Sequence, residues 1–228
     1  MEIAAGVHQV RLIGADTFLL ADERLTLIDA GMVGTRRALE RYLRRLGRRL
    51  DEVERIICTH GHPDHISGLS ELVKDRTDVE VLIHADDLAG LQRPLREALA
   101  PAQPRAERRG RIIQYLTRAP AMPTPIEDGA LLPVLGGLRV IHTPGHTPGS
   151  ICLYLEGARV LFTGDVLQVH RGRLTFASAF FSHDHGAARA SVERLAALDV
   201  DIIALSHYPP WRERPTAALR ELAARAAG

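Results

Sequence analysis

The sequence predicts an α/β (α+β) protein of four layers, two β-sheets packed face to face with helices on both outer surfaces. Three observations predict it. Short apolar runs come in threes in each half of the chain. Each trio is followed by a stretch with helical apolar spacing. Each helix then leads to one more apolar run that stops at a histidine.

In the first half the runs are Val7 to Ile13, Thr17 to Ala21 and Leu25 to Ile28, separated by small polar or glycine-containing breaks, as in an antiparallel meander. The third run ends in Asp29-Ala30-Gly31. A helix follows, with Ala38, Leu39, Tyr42, Leu43 and Leu46 on one face and arginines elsewhere. The strand Arg55 to Cys58 then reaches Thr59-His60. The second half repeats this order: Leu138 to His142, Ile151 to Leu155, and Arg159 to Phe162 running into Gly164-Asp165. A helix carrying Ala188, Val192, Leu195 and Leu198 follows, then the strand Asp201 to Leu205, reaching Ser206-His207. In this scheme Asp29 corresponds to Asp165 and His60 to His207. A last helix, Thr216 to Ala226, aligns Leu219, Leu222, Ala223 and Ala226. Strands shared in this way make one domain over 1–228, two halves around one core.

Residues 87–125 interrupt the repeat. They hold six prolines, and between Arg93 and Arg118 seven arginines stand against two glutamates. This stretch reads as short helical pieces and loops inserted beside the core, either a substrate lid or a solvated excursion.

An apolar fraction of 46% and a charged fraction of 25% are those of an ordinary globular chain. A formal charge of +1 supplies no global field for nucleic acid or an anionic membrane surface. Lys74 is the one lysine, so arginine carries the basic charge, and with 28 acidic residues in balance this reads as compositional habit. Cys58 and Cys152 lie within apolar strands and read as buried thiols. No apolar run is long enough to span a bilayer. The opening MEIAAGVHQVRLIG has no apolar stretch resembling a secretion signal, so the expected setting is the cytoplasm.

The chemistry concentrates in Thr59-His-Gly-His-Pro-Asp-His65. Three histidines and an aspartate directly after a strand supply imidazole nitrogen and carboxylate oxygen, the donors that suit zinc, iron or manganese. Gly61 and Pro63 are expected to prevent a regular element there, leaving the side chains to splay from a loop. Lone histidines such as His8 and His170 are read as structural. Ser182-His-Asp-His185 precedes a helix and reads as an N-terminal cap or pocket lining. His84 ends a strand, Val81 to His84, and reads as a partly buried, hydrogen-bonded histidine. Phe180, Phe181, Tyr208 and Trp211 fit an apolar pocket wall and core packing equally well.

The segment from His60 to His65 resembles the HxHxDH signature of the metallo-β-lactamase fold superfamily. Thr143-Pro-Gly-His146-Thr-Pro-Gly-Ser150 is similar to its third histidine motif, Phe162-Thr-Gly-Asp165 to its bridging-aspartate motif, and Leu27-Ile-Asp29-Ala-Gly31 to its early aspartate motif. Ala204-Leu-Ser-His207 supplies the final histidine, with Ser206 and Tyr208 where the family commonly has glycines. The resemblance covers nearly the whole chain, in the right order.

The resemblance implies the αββα sandwich of that family and two divalent cations, zinc first, with iron or manganese as alternatives. It implies His60, His62 and His146 on one metal and Asp64, His65 and His207 on the other, with Asp165 between them. It gives Asp64 a further catalytic part, orienting a hydroxide between the metals or carrying a proton. Asp29 is expected to support a ligand imidazole or a loop amide without ligating. The implied activity is hydrolysis of an ester-like bond, thioester, lactone or other ester, in a small molecule, with neither nucleic acid nor membrane as partner. The core looks like that of glyoxalase II and lactonases, without the C-terminal glutathione-binding region. The alternatives are a mononuclear-iron oxidoreductase resembling persulfide dioxygenases and a phosphodiesterase. The residues that bind substrate and the oligomeric state are not read from the sequence.

Overall fold

The computed structural model describes residues 1–92, 123–178 and 180–225. Seven strands form the first sheet in chain order: β1 (Glu2–Ala4), β2 (Val7–Val10), β3 (Thr17–Ala21), β4 (Leu25–Ile28), β5 (Val53–Ile57), β6 (Glu80–His84) and β7 (Thr124–Ile126). Strands β1 to β4 pair antiparallel, and β4 to β7 pair parallel. The second sheet is built from β8 (Leu131–Leu132), β9 (Leu138–His142), β10 (Ile151–Leu155), β11 (Val160–Phe162) and β14 (Ile202–Ala204), in the order β14-β11-β10-β9-β8. A separate hairpin, β12 (Leu167–His170) and β13 (Arg173–Phe176), follows β11.

The strands are apolar at consecutive positions because both sheet faces are covered, and period two then decides which side chain goes where. Phe18, Leu20, Ile28 and Ile57 of the first sheet meet Val140, Leu153, Phe162 and Ala204 of the second in one central core. There Phe18 and Phe162 pack edge to face, ring centroids 5.1 Å apart. Their neighbours Leu19, Leu27 and Ile56 point the other way, onto Leu39 and Leu43 of α1 (Thr35–Arg45) and onto Leu69 and Leu72 of α3 (Leu69–Leu72). On the far side Cys152, Leu161 and Ile203 meet Val192 and Leu195 of α5 (His185–Ala196) and Leu219 and Leu222 of α6 (Pro215–Ala224). Four layers result, helix, sheet, sheet and helix.

Helix ends follow local chemistry. Helix α1 stops where Gly47 takes φ +69°, with the Arg48 amide returning to Leu43 O at 2.9 Å and Arg44 and Arg45 in the last turn. Helix α6 begins with Pro215 in its first turn.

The parallel pairs position the site. Ile28 is in register with Ile57, and Phe162 with Ala204. The segments beginning at Asp29, Cys58, Thr163 and Leu205 therefore leave their sheets at one edge, at the carboxyl ends of parallel strands. The Ile151 amide donates to Thr59 O at 2.9 Å, and Gly164 lies so close to Thr59 that a Cβ there would come within 2.7 Å of its hydroxyl. The two sheets thus touch at that edge.

Three expectations need correction. The first run forms a strand only to Val10, because the chain then leaves the sheet in a loop that exposes Ile13 and brings Ala15 and Asp16 against the site's own loops, the Asp16 amide donating to Ser206 O at 2.8 Å. Residues 87–92 belong to a helix, α4 (Ala85–Gln92), and 124–126 to a sheet strand, so the interruption is shorter than 87–125. The remainder of that stretch, with its possible lid, lies outside the described residues. Pro63 does not prevent a helix: it opens one, α2 (Pro63–Ile66), at a position where its missing N–H is no loss.

Candidate metal centre

Strand β5 delivers Thr59 and His60 to the sheet edge, and α2 then turns Asp64 and His65 back toward it. Asp29 organises this corner. Its Oδ1 accepts from the Thr59 amide at 2.7 Å, the Thr59 hydroxyl donates to both its oxygens (3.0 and 2.9 Å), and its Oδ2 lies 2.8 Å from His65 Nδ1. Asp29 is wholly buried and sits at φ +62°, a strained backbone for a residue with a Cβ.

These bonds fix the tautomers. With its hydrogen directed to Asp29, the Thr59 hydroxyl is an acceptor for His60 Nδ1, 3.1 Å away. His60 and His65 both carry their proton on Nδ1, so each presents an Nε2 lone pair to the pocket.

Two groups of donor atoms converge there. His60 Nε2 lies 3.1 Å and His146 Nε2 2.9 Å from His62 Nδ1. On the other side, His207 Nε2 and His65 Nε2 lie 3.5 and 3.8 Å from Asp64 Oδ2. Asp165 stands between the groups. Its Oδ2 is 3.5 Å from His146 Nε2, while its Oδ1 is 3.3 Å from His65 Nε2 and 3.1 Å from His207 Nε2. All seven residues predicted from the motifs therefore meet at one place, including His207 despite its non-glycine flanks.

The donors fit divalent cations. Buried His65 Nε2 and Asp165 Oδ1 face each other without a well-formed hydrogen bond, and neither has such a partner among the described residues. Three imidazole nitrogens crowd together with too few protons to join them all. A cation in each group would satisfy those lone pairs together. Burial drives the pKa of His60 well below the usual value, lowers that of His62 and brings His146 to about 4, which keeps these rings in the neutral form that ligates. Burial opposes charge on His65 too, but the carboxylates of Asp165 and Asp29 outweigh it and raise its pKa well above normal, so a cation taking His65 Nε2 as a ligand would have to displace a proton from it. His207 is raised chiefly by Asp165. Asp165, whose burial alone would favour the neutral acid, is held well below the carboxylate range by His65 and His207.

A match to the family model of the metallo-β-lactamase superfamily spans residues 11–207. The chain belongs to that superfamily. Membership carries divalent-metal binding with it, and places the chain among metallo-hydrolases. A relative from Bacillus subtilis (strain 168), the probable metallo-hydrolase YflN, is 29% identical over 237 residues, covering 92% of this chain and 86% of YflN. The atrochrysone carboxyl ACP thioesterase AgnL7 of Paecilomyces divaricatus is 27% identical over 160 residues, 70% of this chain and 41% of its own. Among solved structures, a metallo-β-lactamase family protein of Thermus thermophilus, TTHA1429, superposes with a TM-score of 0.77 at 26% identity, covering 99% of this chain and 81% of that one. The αββα sandwich is the metallo-β-lactamase fold.

The other candidate residues fall outside the centre. Asp184 caps α5, accepting from the Ala187 amide at 3.0 Å. His84 stacks in parallel on His142, centroids 3.9 Å apart at 11°. Asp86 lies near both, but parallel rings aim their lone pairs along separate planes, a poor arrangement for sharing a cation. His8 packs against Tyr42, and its Nδ1 meets the phenol at 3.2 Å. Tyr208 and Trp211 pack on the outer core. Phe180 and Phe181 are exposed, on a loop whose His183 amide donates to His146 O at 3.1 Å.

Asp87 was not anticipated as part of the site. This buried carboxylate accepts from the Gly61 amide (2.7 Å), the Thr147 hydroxyl (2.8 Å) and the Gly149 amide (2.7 Å). Nothing in the sequence distinguishes it from adjacent Asp86, which is exposed.

Proposed function

We propose that this protein is a binuclear metal-dependent hydrolase that cleaves an ester-like bond, a thioester, lactone or other ester, in a small molecule. The observation that carries the reading is Asp165, whose two oxygens address two separate groups of histidines. His60, His62 and His146 would hold one cation, and Asp64, His65 and His207 the other. When bound, such a pair polarises a substrate oxygen and lowers the pKa of water from 15.7 toward ~7. Neither thiol is placed to act as a nucleophile, because both are buried.

The chain's own groups do the rest. Asp29 keeps the His65 and His60 lone pairs pointed inward. Asp64 is partly exposed at the edge of the cluster, where its carboxylate can orient water and pass a proton to the leaving oxygen or sulfur. The thioesterase relative supports an ester-like substrate over a phosphodiester. Among the described residues no helix is long and apolar enough to cross a membrane. A cytoplasmic setting and a small soluble substrate complete the proposal, with no nucleic-acid or membrane partner.

Elemental analysis of protein purified without added metal, alongside ester, lactone, thioester, β-lactam and phosphodiester substrates, tests the proposal. Two equivalents of metal, zinc foremost, with turnover of a carboxylic ester or thioester are expected. One iron per chain with oxygen uptake, or turnover confined to phosphodiesters or β-lactams, would overturn it.

A further inference from the structure

We propose that Asp87 is a positioning residue that sets the spacing of the first ligand trio, His60, His62 and His146, an inference that rests on the metal reading above. Asp87 lies in the first turn of α4, just beyond β6, and is itself no member of either donor group. Its three hydrogen-bond donors come from the two loops that carry the trio. Gly61 lies between His60 and His62. Thr147 directly follows His146, and Gly149 comes two residues later.

One carboxylate therefore ties together two loops that are far apart in the chain. Its Oδ2 accepts from the Gly61 amide and the Thr147 hydroxyl, and its Oδ1 from the Gly149 amide. The chemistry calls for an acceptor-only group at this point. A buried carboxylate needs donors, and three converge on it, two of them buried and the third, the Gly61 amide, partly so. An amide in its place would turn one oxygen into an N–H2 that faces another N–H or O–H. Because the Thr147 hydroxyl gives its hydrogen to Asp87, it accepts from Ser150 Oγ, 2.7 Å away, which draws the rest of the His146 loop into the same arrangement.

The packing is as specific as the bonding. A Cβ on Gly149 would lie 2.5 Å from the Asp87 amide nitrogen and 2.8 Å from its Cβ, so the close approach needs glycine there. The second group is held by other means, with His65 on Asp29 and Asp64 on α2. Asp87 thus joins the two loops of the first trio, while Asp29 orients His65 in the second group and, through the Thr59 hydroxyl, the His60 ring in the first.

The test uses the full-length protein, with Zn2+ affinity at each site measured by competition with a chromophoric chelator. Visible spectra of the Co2+-substituted protein report the ligand field of each site separately. Asp87→Asn is expected to weaken binding at the first trio by about 10- to 100-fold while the second site changes by less than about twofold. Its Co2+ bands from the first site should shift. Thr147→Val, which removes one of the three donors and keeps the volume, should shift the same bands in the same direction by less, and serves if Asp87→Asn does not fold. Equal weakening at both sites, or wild-type affinities with only a lower Tm, would overturn the assignment. A wild-type chain that takes up neither Zn2+ nor Co2+ would instead defeat the metal reading itself.

Discussion

Cys58 and Cys152 show how position controls chemistry at the scale of a residue. Both thiols are fully buried, and burial pushes Cys58 well above the usual thiol range and Cys152 to about 12. Thiolate is the reactive form, and it is absent below such a pKa. Native protein at pH 8 should resist iodoacetamide, and both cysteines should be alkylated after denaturation, as intact mass will show. Alkylation of the native chain would contradict the burial. At the centre, His62→Ala or His146→Ala should remove metal from the first site and lower kcat/KM by about 100-fold or more. Asp165→Asn should cost metal at both sites, and a loss at one alone would show that it does not face both. These residues were legible beforehand because each stands within a few residues of a strand end in a compact motif. Asp87 was not, since its partners lie 26 to 62 residues away and no local pattern separates it from Asp86.

At the scale of the element, the helices are held by one face and one or two end groups. Leu39 and Leu43 seat α1 on the first sheet, so Leu43→Ala should cost about 2–5 kcal/mol in chemical denaturation. Asp184→Ala removes the cap of α5 and should cost about 1 kcal/mol. Because the cap is exposed, the larger loss is expected at Leu43, and the reverse order would mean that α5 hangs on its cap more than on Val192 and Leu195. Apolar runs and helical spacing revealed most of the long elements. They did not reveal β1, β7, β8 or the β12–β13 hairpin, which hold at most two consecutive apolar residues each and so do not stand out as runs. Pro63 misled for a different reason: proline breaks a helix interior but suits its first turn, and sequence alone does not say which position it takes.

At the scale of the whole molecule, two strand–helix–strand units face one another, β4-α1-β5 and β11-α5-β14, each with a parallel pair ending at the same edge. The correspondence of Asp29 with Asp165 and of His60 with His207 follows this geometry. The central core joins the two units, and Phe162→Ala, which also forfeits the edge-to-face contact with Phe18, should cost about 3–5 kcal/mol. The helix and sheet order was readable because each unit keeps its own hydrophobic rhythm. The joining of the two sheets at Thr59, Ile151 and Gly164 was not, because those contacts depend on backbone positions that leave no side-chain signature.

That seam has a thermodynamic consequence. Cations held across it by the proposed ligands would bind only when both halves are folded, so their binding energy would be shared by the whole molecule and lost all at once. Treatment with EDTA should shift the calorimetric melting peak downward as a single endotherm, without splitting it into one for each half.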